Sequence, residues 1–421
     1  MATLPALPEW VTLEHQVAQI LVDQELHGWY FDEPSARELE CSLRRELHTL
    51  TDVLRDRHPF VEGSVFNPKR PNKTQGYFTG CESTRLKEFN PTSRDHIAWV
   101  MKTFYGWTPT EFTDKGKPTV DEVVLKDIGS PIALDFLRCL ELTKQLGMLT
   151  EGVNAWLKLV KKNRIHHHCS VATNTHRCAH RKPNLAQVPS EHEFRKLFRA
   201  SPGLVMVGAD LAGIELRMLA HYLARYDNGR YGDILLNGDI HQENADKIGI
   251  SRRLVKTVTY AFLYGAGDQK IGLSYDPQLS EEKARAKGAE IRQAYMDAIP
   301  GLQKLVEAVK RKAKEHGYVN AIDGRRIACD GPHKALNYLL QSSAGVIAKR
   351  WMHLTNNQLA PMKAKQLAFV HDELQYECPP ESALELQQLL EQSAIQAGEY
   401  YGLRIPIAAE AKQGANWSEV H

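Results

Sequence analysis

The chain reads as α+β with an antiparallel sheet, and three observations carry that class. Helical periodicity fills the chain up to about Val160, and strand-like runs appear only after it, interleaved with further helices. Asp323-Gly324 stands between the alternating segments YVNAI and RRIAC, which is a hairpin signal. LAFVHDELQYE (367–377) joins an apolar run to an alternating one through His371, Asp372 and Glu373, so a second hairpin carries two adjacent acids at its tip. Helices first and hairpins later exclude a doubly wound parallel sheet.

Taken in order, Glu9 to about Arg57 is two helices, the first closed by Gly28 and the second opened by Pro34. Residues 59–91 look loop-like, with repeated Asn-Pro, Gly and Lys. Their bases Lys69, Arg70, Lys73, Arg85 and Lys87 suit either a solvated insertion or a strip that touches a polyanion. Helices resume at Ser93–Phe104 and Pro131–Val160. GLVMVGAD (203–210) is an apolar, β-branched run, hence a buried strand, and GIELRMLAHYLARY (213–226) is the helix after it. Further helices span about Ser251–Tyr264, 280–297 and 301–316, the last stopped by Gly317. A long one, 334–359, leads into the acidic hairpin, and a helix over 382–401 and a strand RIPIAAEA (404–411) end the chain.

Composition sets the outer bounds. The chain has 421 residues, enough for two or three domains or one multi-lobed unit, with 43% hydrophobic and 25% charged residues. A net charge of +2 decides nothing about polyanions, so only local clustering speaks to them. Seven scattered cysteines, an odd number, fit a reducing cytosol better than a disulfide framework. MATLPALPEWV has no basic, apolar leader pattern, and no apolar run approaches the ~20 residues of a membrane helix. There is no Walker A motif, internal repeat or low-complexity tract.

Asp210 ends one buried strand and Asp372 ends another. Two such carboxylates from one sheet suit a hard cation such as Mg²⁺, which takes one or two carboxylates plus substrate phosphates. Each acid alone also fits a solvated turn. In RRLVKTVTYAFLYG, Arg252, Lys256, Tyr260 and Tyr264 recur every four residues, a stripe that drifts only about 40° per step on a helix. Its cationic start lies at the helix N-terminus, where the dipole also favours anions. A triphosphate on Arg252 and Lys256 would leave sugar and base beside Tyr260. The bland alternative is an amphipathic helix with two solvated bases and two core tyrosines. GAGDQKIG follows a helix rather than a strand and fails as a dinucleotide fingerprint. The histidines and cysteines of IHHHCSVATNTHRCAHR (165–181) lack Cys-x-x-Cys spacing, and adjacent histidines on a strand face opposite ways, which argues against zinc.

DLAGIELR (210–217), RLVKTVTYAFLYG (253–265) and VHDEL (370–374) resemble, in order and separation, the three polymerase motifs of family A DNA polymerases, closest to the bacteriophage branch. RCAHRKPNLAQVPS (177–190), NGDIHQEN (237–244), DGRRIACDGPHKALNYLLQSSAG (323–345) and GANWSEVH (414–421) extend the resemblance over most of the chain. It implies a right-hand fold: a helical thumb (1–162), an antiparallel-sheet palm in two parts (163–225 and 331–421) and helical fingers (226–330). The implied activity is template-directed extension of a primer 3′-hydroxyl with dNTPs, using two Mg²⁺ ions with Mn²⁺ as a substitute. Asp210, Leu211 and Asp372 match the metal-binding positions, and Glu373 the auxiliary catalytic acid. Glu215 matches the residue that crowds the sugar 2′ position. Arg252, Lys256 and His241 match triphosphate contacts, Tyr260 the neighbour of the incoming sugar, and Tyr264 the ring near the templating base. Arg177, Gln341 and Asn337 match primer-end DNA contacts, and His371 a primer-terminus contact.

The resemblance also sets expectations about partners. Sequence similar to the thumb begins by about Trp10, which leaves no room in this chain for a 3′–5′ exonuclease domain; the chain is then either a polymerase without that domain or a piece of a longer one, and a separate exonuclease is a compatible partner. The stretch 59–91 is much shorter than the branch's thioredoxin-binding insertion, so thioredoxin dependence is not expected, although another processivity factor would be compatible. The implied setting is the cytoplasm of a phage-infected bacterium. Two other readings compete. A single-subunit RNA polymerase shares the acids but not a carboxylate at Glu215. A non-catalytic nucleic-acid-binding accessory protein would not need Asp210, Asp372, Arg252 and Lys256 together.

Overall fold

The computed structural model describes residues 7–276 and 279–421, so the leaderless reading of the N-terminus falls in part outside the described residues. The chain divides into two compact units, residues 33–158 and residues 1–32 with 159–421.

In the smaller unit, helices Glu33–Arg57, Arg94–Tyr105, Glu122–Ile128 and Pro131–Leu146 start and stop where their caps dictate. The side chains of Ser93, Asp121 and Ser130 accept the first free backbone N–H groups, and Gly106 and Gly129 close two of the helices in the left-handed conformation. Leu54, Phe89, Ile97, Met101 and Phe136 form its core. The stretch 59–91 differs from the loop expected there. Phe60–Phe66 and Ser83–Glu88 pair antiparallel, with Phe60 opposite Glu88 and an irregularity between Glu62 and Val65. Only Val61 of the first strand is buried, so the apolar alternation that marks a strand is missing. All five bases of the stretch are exposed, on the second strand and on the segment that joins the two. The expected helix to Val160 is also interrupted. It ends at Leu146, and a wider turn over Gly147–Glu151 follows, where Gly152 N–H donates to the Gly147 carbonyl at 2.8 Å.

The larger unit is built on a four-stranded antiparallel sheet in the order Lys365–Val370, Glu373–Cys378, Val205–Leu211, Ala409–Gly414. Val207, Ala209, Leu211, Leu374 and Tyr376 share one buried core with Ile347, Leu386 and Leu390 from helices Ala335–Asn356 and Ala383–Tyr400. Alternation then sends Asp210, Glu373 and Gln375 to the other face. The last strand begins later than RIPIAAEA suggested. Pro406 has no N–H for a ladder, and Ile405 and Ile407 are buried ahead of the pairing. The Asp323-Gly324 hairpin forms, but through a five-residue connection, 321–325, between Tyr318–Asn320 and Arg326–Ala328, with Gly324 at φ 84° and Arg325 Nε on Asp323 Oδ2 at 2.7 Å.

Helix Glu9–His27 belongs to this unit, apart from residues 33–158, which make up most of the expected 1–162 segment. Glu14 takes two hydrogen bonds of 2.7 Å from the fully buried Lys349 of helix Ala335–Asn356, and Arg325 pairs with the same carboxylate. A lysine buried there needs that acid, and two cations hold the Glu14 carboxyl below its usual range against the opposing effect of burial.

Helices Ile214–Asp227, Arg252–Leu263, Glu281–Ala298 and Leu302–His316 stand close to where periodicity put them. Arg230–Asn237, Ile240–Ile248 and Asp268–Tyr275 are additions, too short for periodicity to mark. Asp268–Tyr275 packs on Glu281–Ala298 with backbones nearly touching: a Cβ on Gly288 would lie 1.7 Å from the Asp268 carbonyl oxygen, and one on Gly272 1.9 Å from that of Ala284. Gly288→Ala is therefore expected to lower stability by about 1–3 kcal/mol despite its better helix propensity, because the two helices must separate. Urea unfolding of both proteins checks this, and equal midpoints would show that the pair tolerates a methyl group. Among the described residues no helix is long and apolar enough to cross a membrane.

Candidate active site

The sheet brings the acids together. Glu373 lies directly opposite Asp210 across the strands, and the Leu211 N–H donates to the Asp372 carbonyl at 3.1 Å. The hairpin turns on only two residues between Val370 and Glu373, so Asp372 is at the tip and Glu373 is already in the strand. His371 takes the other tip position at φ 59°, a left-handed conformation uncommon among non-glycine residues but one that histidine adopts more readily than most.

Neither Asp210 nor Asp372 forms an ion pair among the described residues. Burial pushes the Asp210 carboxyl up to about 7, with repulsion from Asp372 and Glu373 adding to it. Burial, then Glu215, pushes Asp372 up to about 6. Water still reaches the Asp210 side chain, so screening weakens these effects and their direction carries the argument. Two crowded acids in no ion pair, eased only in part by Arg177 beside Asp372 and His421 beside Asp210, form a donor set that a divalent cation would neutralise. Carboxylates so placed could hold Mg²⁺, which takes one or two of them and completes its shell with substrate phosphates.

Glu373 behaves differently from the other two. It is 6% exposed and its Oε1 accepts from Gln375 Nε2 at 2.6 Å and from Trp417 Nε1 at 2.5 Å, while its Oε2 lies 3.2 Å from His421 Nδ1. It is a held carboxylate.

Helix Arg252–Leu263 carries the expected stripe. Ser251 caps its N-terminus, Lys256 is exposed, and the Tyr260 and Tyr264 rings lie 6.4 Å apart at 19°. Arg252 is not free: its Nε donates to Asp239 Oδ2 at 2.7 Å, and Asp239 also caps helix Ile240–Ile248. His241, on that helix, is 9% exposed, its ring is 6.3 Å from Tyr260, and its Nδ1 has no hydrogen-bond partner.

Glu215, in the first turn of helix Ile214–Asp227, joins the remaining residues. Its Oε1 accepts from Arg177 Nη2 at 2.8 Å and from the Tyr264 hydroxyl at 3.2 Å. Burial and this carboxylate push the Tyr264 phenol up to about 12. The Arg177 chain runs beside Gly345 of helix Ala335–Asn356, where a Cβ would make an ordinary contact of 3.4 Å with Arg177 Cγ. Gln341, on the same helix, has no hydrogen-bond partner among the described residues. Asn337 does not offer its amide as a DNA contact would require. It is buried and donates to the Leu263 carbonyl at 2.6 Å, satisfying the C-terminal end of helix Arg252–Leu263.

Sequence reasoning missed Asp239, Gln375 and Trp417. Asp239 had a signal as a helix-capping acid inside NGDIHQEN, and Trp417 lies inside GANWSEVH. The 165–181 segment gathers no group of three or more histidines, cysteines or acids able to hold a metal among the described residues. His166 and His168 both contact Glu25, and His167 contacts the Leu367 carbonyl. His180 is buried with its ring 5.9 Å from that of His371, and burial pushes it down to about 3.

With this geometry in place, comparison with known proteins is direct. The model of DNA polymerase family A matches residues 78–419. The DNA-directed DNA polymerases of Enterobacteria phage T3 and Escherichia phage T7 are each 32% identical to this chain over 98% of it and 70% of their own length. The thermostable DNA polymerase I of Thermus filiformis is 27% identical over 97% of the chain and 48% of its own. The polymerase domain of Pol1 from M. smegmatis, solved with a DNA primer-template and dNTP, shares the fold with a TM-score of 0.76, at 22% identity over 97% of this chain and 70% of that one. The two acids at the strand ends, the striped helix beside them and the right-hand polymerase fold thus have one common explanation: the chain belongs to DNA polymerase family A.

Proposed function

We propose that this chain extends a DNA primer on a template from dNTPs, with Asp210, Asp372 and the Leu211 carbonyl as the metal-holding oxygens. The observation that carries the reading is the pair of crowded carboxylates in no ion pair, together with a helix whose exposed side is cationic and then aromatic. A pair of Mg²⁺ ions, or Mn²⁺ in their place, would supply charge neutralisation for the attacking and leaving oxygens. The chain's own groups bind and orient the reactants. Lys256, Arg252 once released from Asp239, and His241 receive the triphosphate. Tyr260 abuts the sugar, and Tyr264 lies toward the templating base. Arg177, Gln341 and His371 hold the primer end, whose 3′-hydroxyl attacks the α-phosphate and releases pyrophosphate. Catalysis of this kind is mostly positioning and electrostatics. In this reading the thumb is residues 33–158, the palm 163–225 with 331–421, and the fingers 226–330.

Glu215 separates this reading from that of an RNA polymerase. Its carboxylate is fixed by Arg177 and Tyr264, so it cannot swing aside for a 2′-hydroxyl without losing both contacts. Glu215→Ala is expected to raise ribonucleotide use relative to deoxyribonucleotide by about 10–200-fold, the range for a single group in a packed pocket. Primer extension with matched dNTP and rNTP series measures it. Preferred rNTP use by the unaltered protein would favour the RNA polymerase instead, and no extension at all with Mg²⁺ would sink both.

A further inference from the structure

Trp417 has two kinds of contact that call for different explanations. Its ring packs on Trp29 at 5.0 Å and Phe198 at 5.7 Å, with the Arg195 guanidinium 4.8 Å over its face. Those contacts fill space and any large aromatic ring would serve them. Its indole N–H, however, is aimed at the Glu373 carboxylate, at 2.5 Å in a site where Trp417 is 1% exposed. Indole nitrogen is donor-only, so this bond has one direction and one purpose: it fixes where Oε1 lies.

The surroundings repeat the purpose. Gln375, wholly buried, donates to the same oxygen at 2.6 Å. Room for that amide exists because position 208 is glycine: a Cβ there would meet Gln375 Nε2 at 2.5 Å and Val420 Cγ2 at 2.8 Å. Gly208 lies opposite Gln375 in the strand pairing, next but one to Asp210, which lies opposite Glu373. Two neutral donors on Oε1, with His421 Nδ1 3.2 Å from Oε2, therefore orient a buried carboxylate beside Asp210. A carboxylate left to rotate would present a varying field to the acids that hold the cation.

We propose that Trp417 is a positioning residue for polymerisation, its indole N–H fixing the Glu373 carboxylate beside Asp210 without touching substrate. The inference rests on Asp210, Asp372 and Glu373 forming the active site.

The test is Trp417→Phe, which keeps an aromatic six-membered ring but deletes the donor together with the five-membered ring that carries it. Its kcat for single-nucleotide addition is expected to fall about 10–100-fold, the usual loss when a group supporting a metal site is removed. Burst amplitude, KM for dNTP and Kd for primer–template should stay near those of the unaltered protein, while Tm falls because the smaller ring leaves a cavity. Glu373→Gln should lose activity, and adding Trp417→Phe to it should lose no more, since one acts through the other. Gln375→Met removes the second donor at equal volume and should reproduce the pattern, which keeps the idea testable if Trp417→Phe folds poorly. Unchanged kcat in Trp417→Phe, or losses that multiply in the double variant, overturns the proposal. Asp372→Ala, run alongside, tells the two failures apart: if it is inactive while Trp417→Phe is normal, the site stands and the positioning role falls. If Asp372→Ala is active, the site itself is wrong.

Discussion

Asp210→Ala and Asp372→Ala are each expected to reduce primer extension by about a thousandfold or more, equivalent to ~4 kcal/mol of transition-state stabilisation. Primer–template affinity should change little, because both groups face the acid cluster rather than a duplex-binding surface. The same carboxylates make a second, independent prediction about stability. Their native pKa values lie above those of an unfolded aspartate, at about 7 and about 6. A raised carboxylate pKa contributes stability below the unfolded value of about 4, and that contribution is lost as pH rises through the native value. Without divalent cation, then, the fold carries an electrostatic penalty that grows between pH 4 and 7. Asp372→Asn should raise Tm in EDTA at pH 8, and the gain should narrow at pH 5. Added Mg²⁺ should raise Tm at pH 8 in the unaltered protein, since it binds only the native cluster, and should do so far less in either alanine variant. Extension by either variant at near-normal rate, or a Tm in EDTA that Asp372→Asn leaves unmoved, would remove these acids from the metal position.

The parts of this molecule that the sequence made visible are those whose signals are local. The Asp210 strand, the four-residue stripe of Arg252–Leu263 and the acidic hairpin each announce themselves within a dozen residues, because burial on one face imposes a period. The parts it hid depend on partners far along the chain. Helix Glu9–His27 reads as an ordinary amphipathic helix, and its distant partners show which unit it belongs to: Leu13, Val17 and Leu21 lie in the larger core and Glu14 takes up the buried Lys349. Asn337 looks like a free polar residue on an inner helix until the Leu263 carbonyl is found beside it. Glu373 reads as the twin of Asp372, yet one step along a two-residue turn moves it from tip to strand, where Gln375 and Trp417 take up one of its oxygens. The hairpin of 60–88 was hidden for the opposite reason: almost nothing in it is buried, so it has no apolar alternation to read.

Tyr260→Phe is expected to make the enzyme discriminate against dideoxynucleotides by about one to two further decades, while dNTP incorporation is retained. Tyr260 is half-buried in the stripe, between His241 at 6.3 Å and Tyr264 at 6.4 Å. Its hydroxyl has no hydrogen-bond partner among the described residues, although burial raises its pKa and so favours a neutral, donating phenol. A normal dNTP brings a 3′-hydroxyl that can bond its own triphosphate. A dideoxynucleotide lacks it, and the space and the phosphate oxygen are left without a partner. The phenol can take that place, whereas phenylalanine cannot. A hydrogen bond to a charged phosphate is worth about 1.5–3 kcal/mol, which sets the expected one to two decades. The unaltered enzyme should accordingly use dideoxynucleotides readily. The quantity to measure is kcat/KM for dNTP over ddNTP in both proteins, since that ratio cancels losses common to the two substrates. A large ratio already present in the unaltered enzyme, or one that does not rise in Tyr260→Phe, would mean that the stripe meets the nucleotide elsewhere than at its sugar.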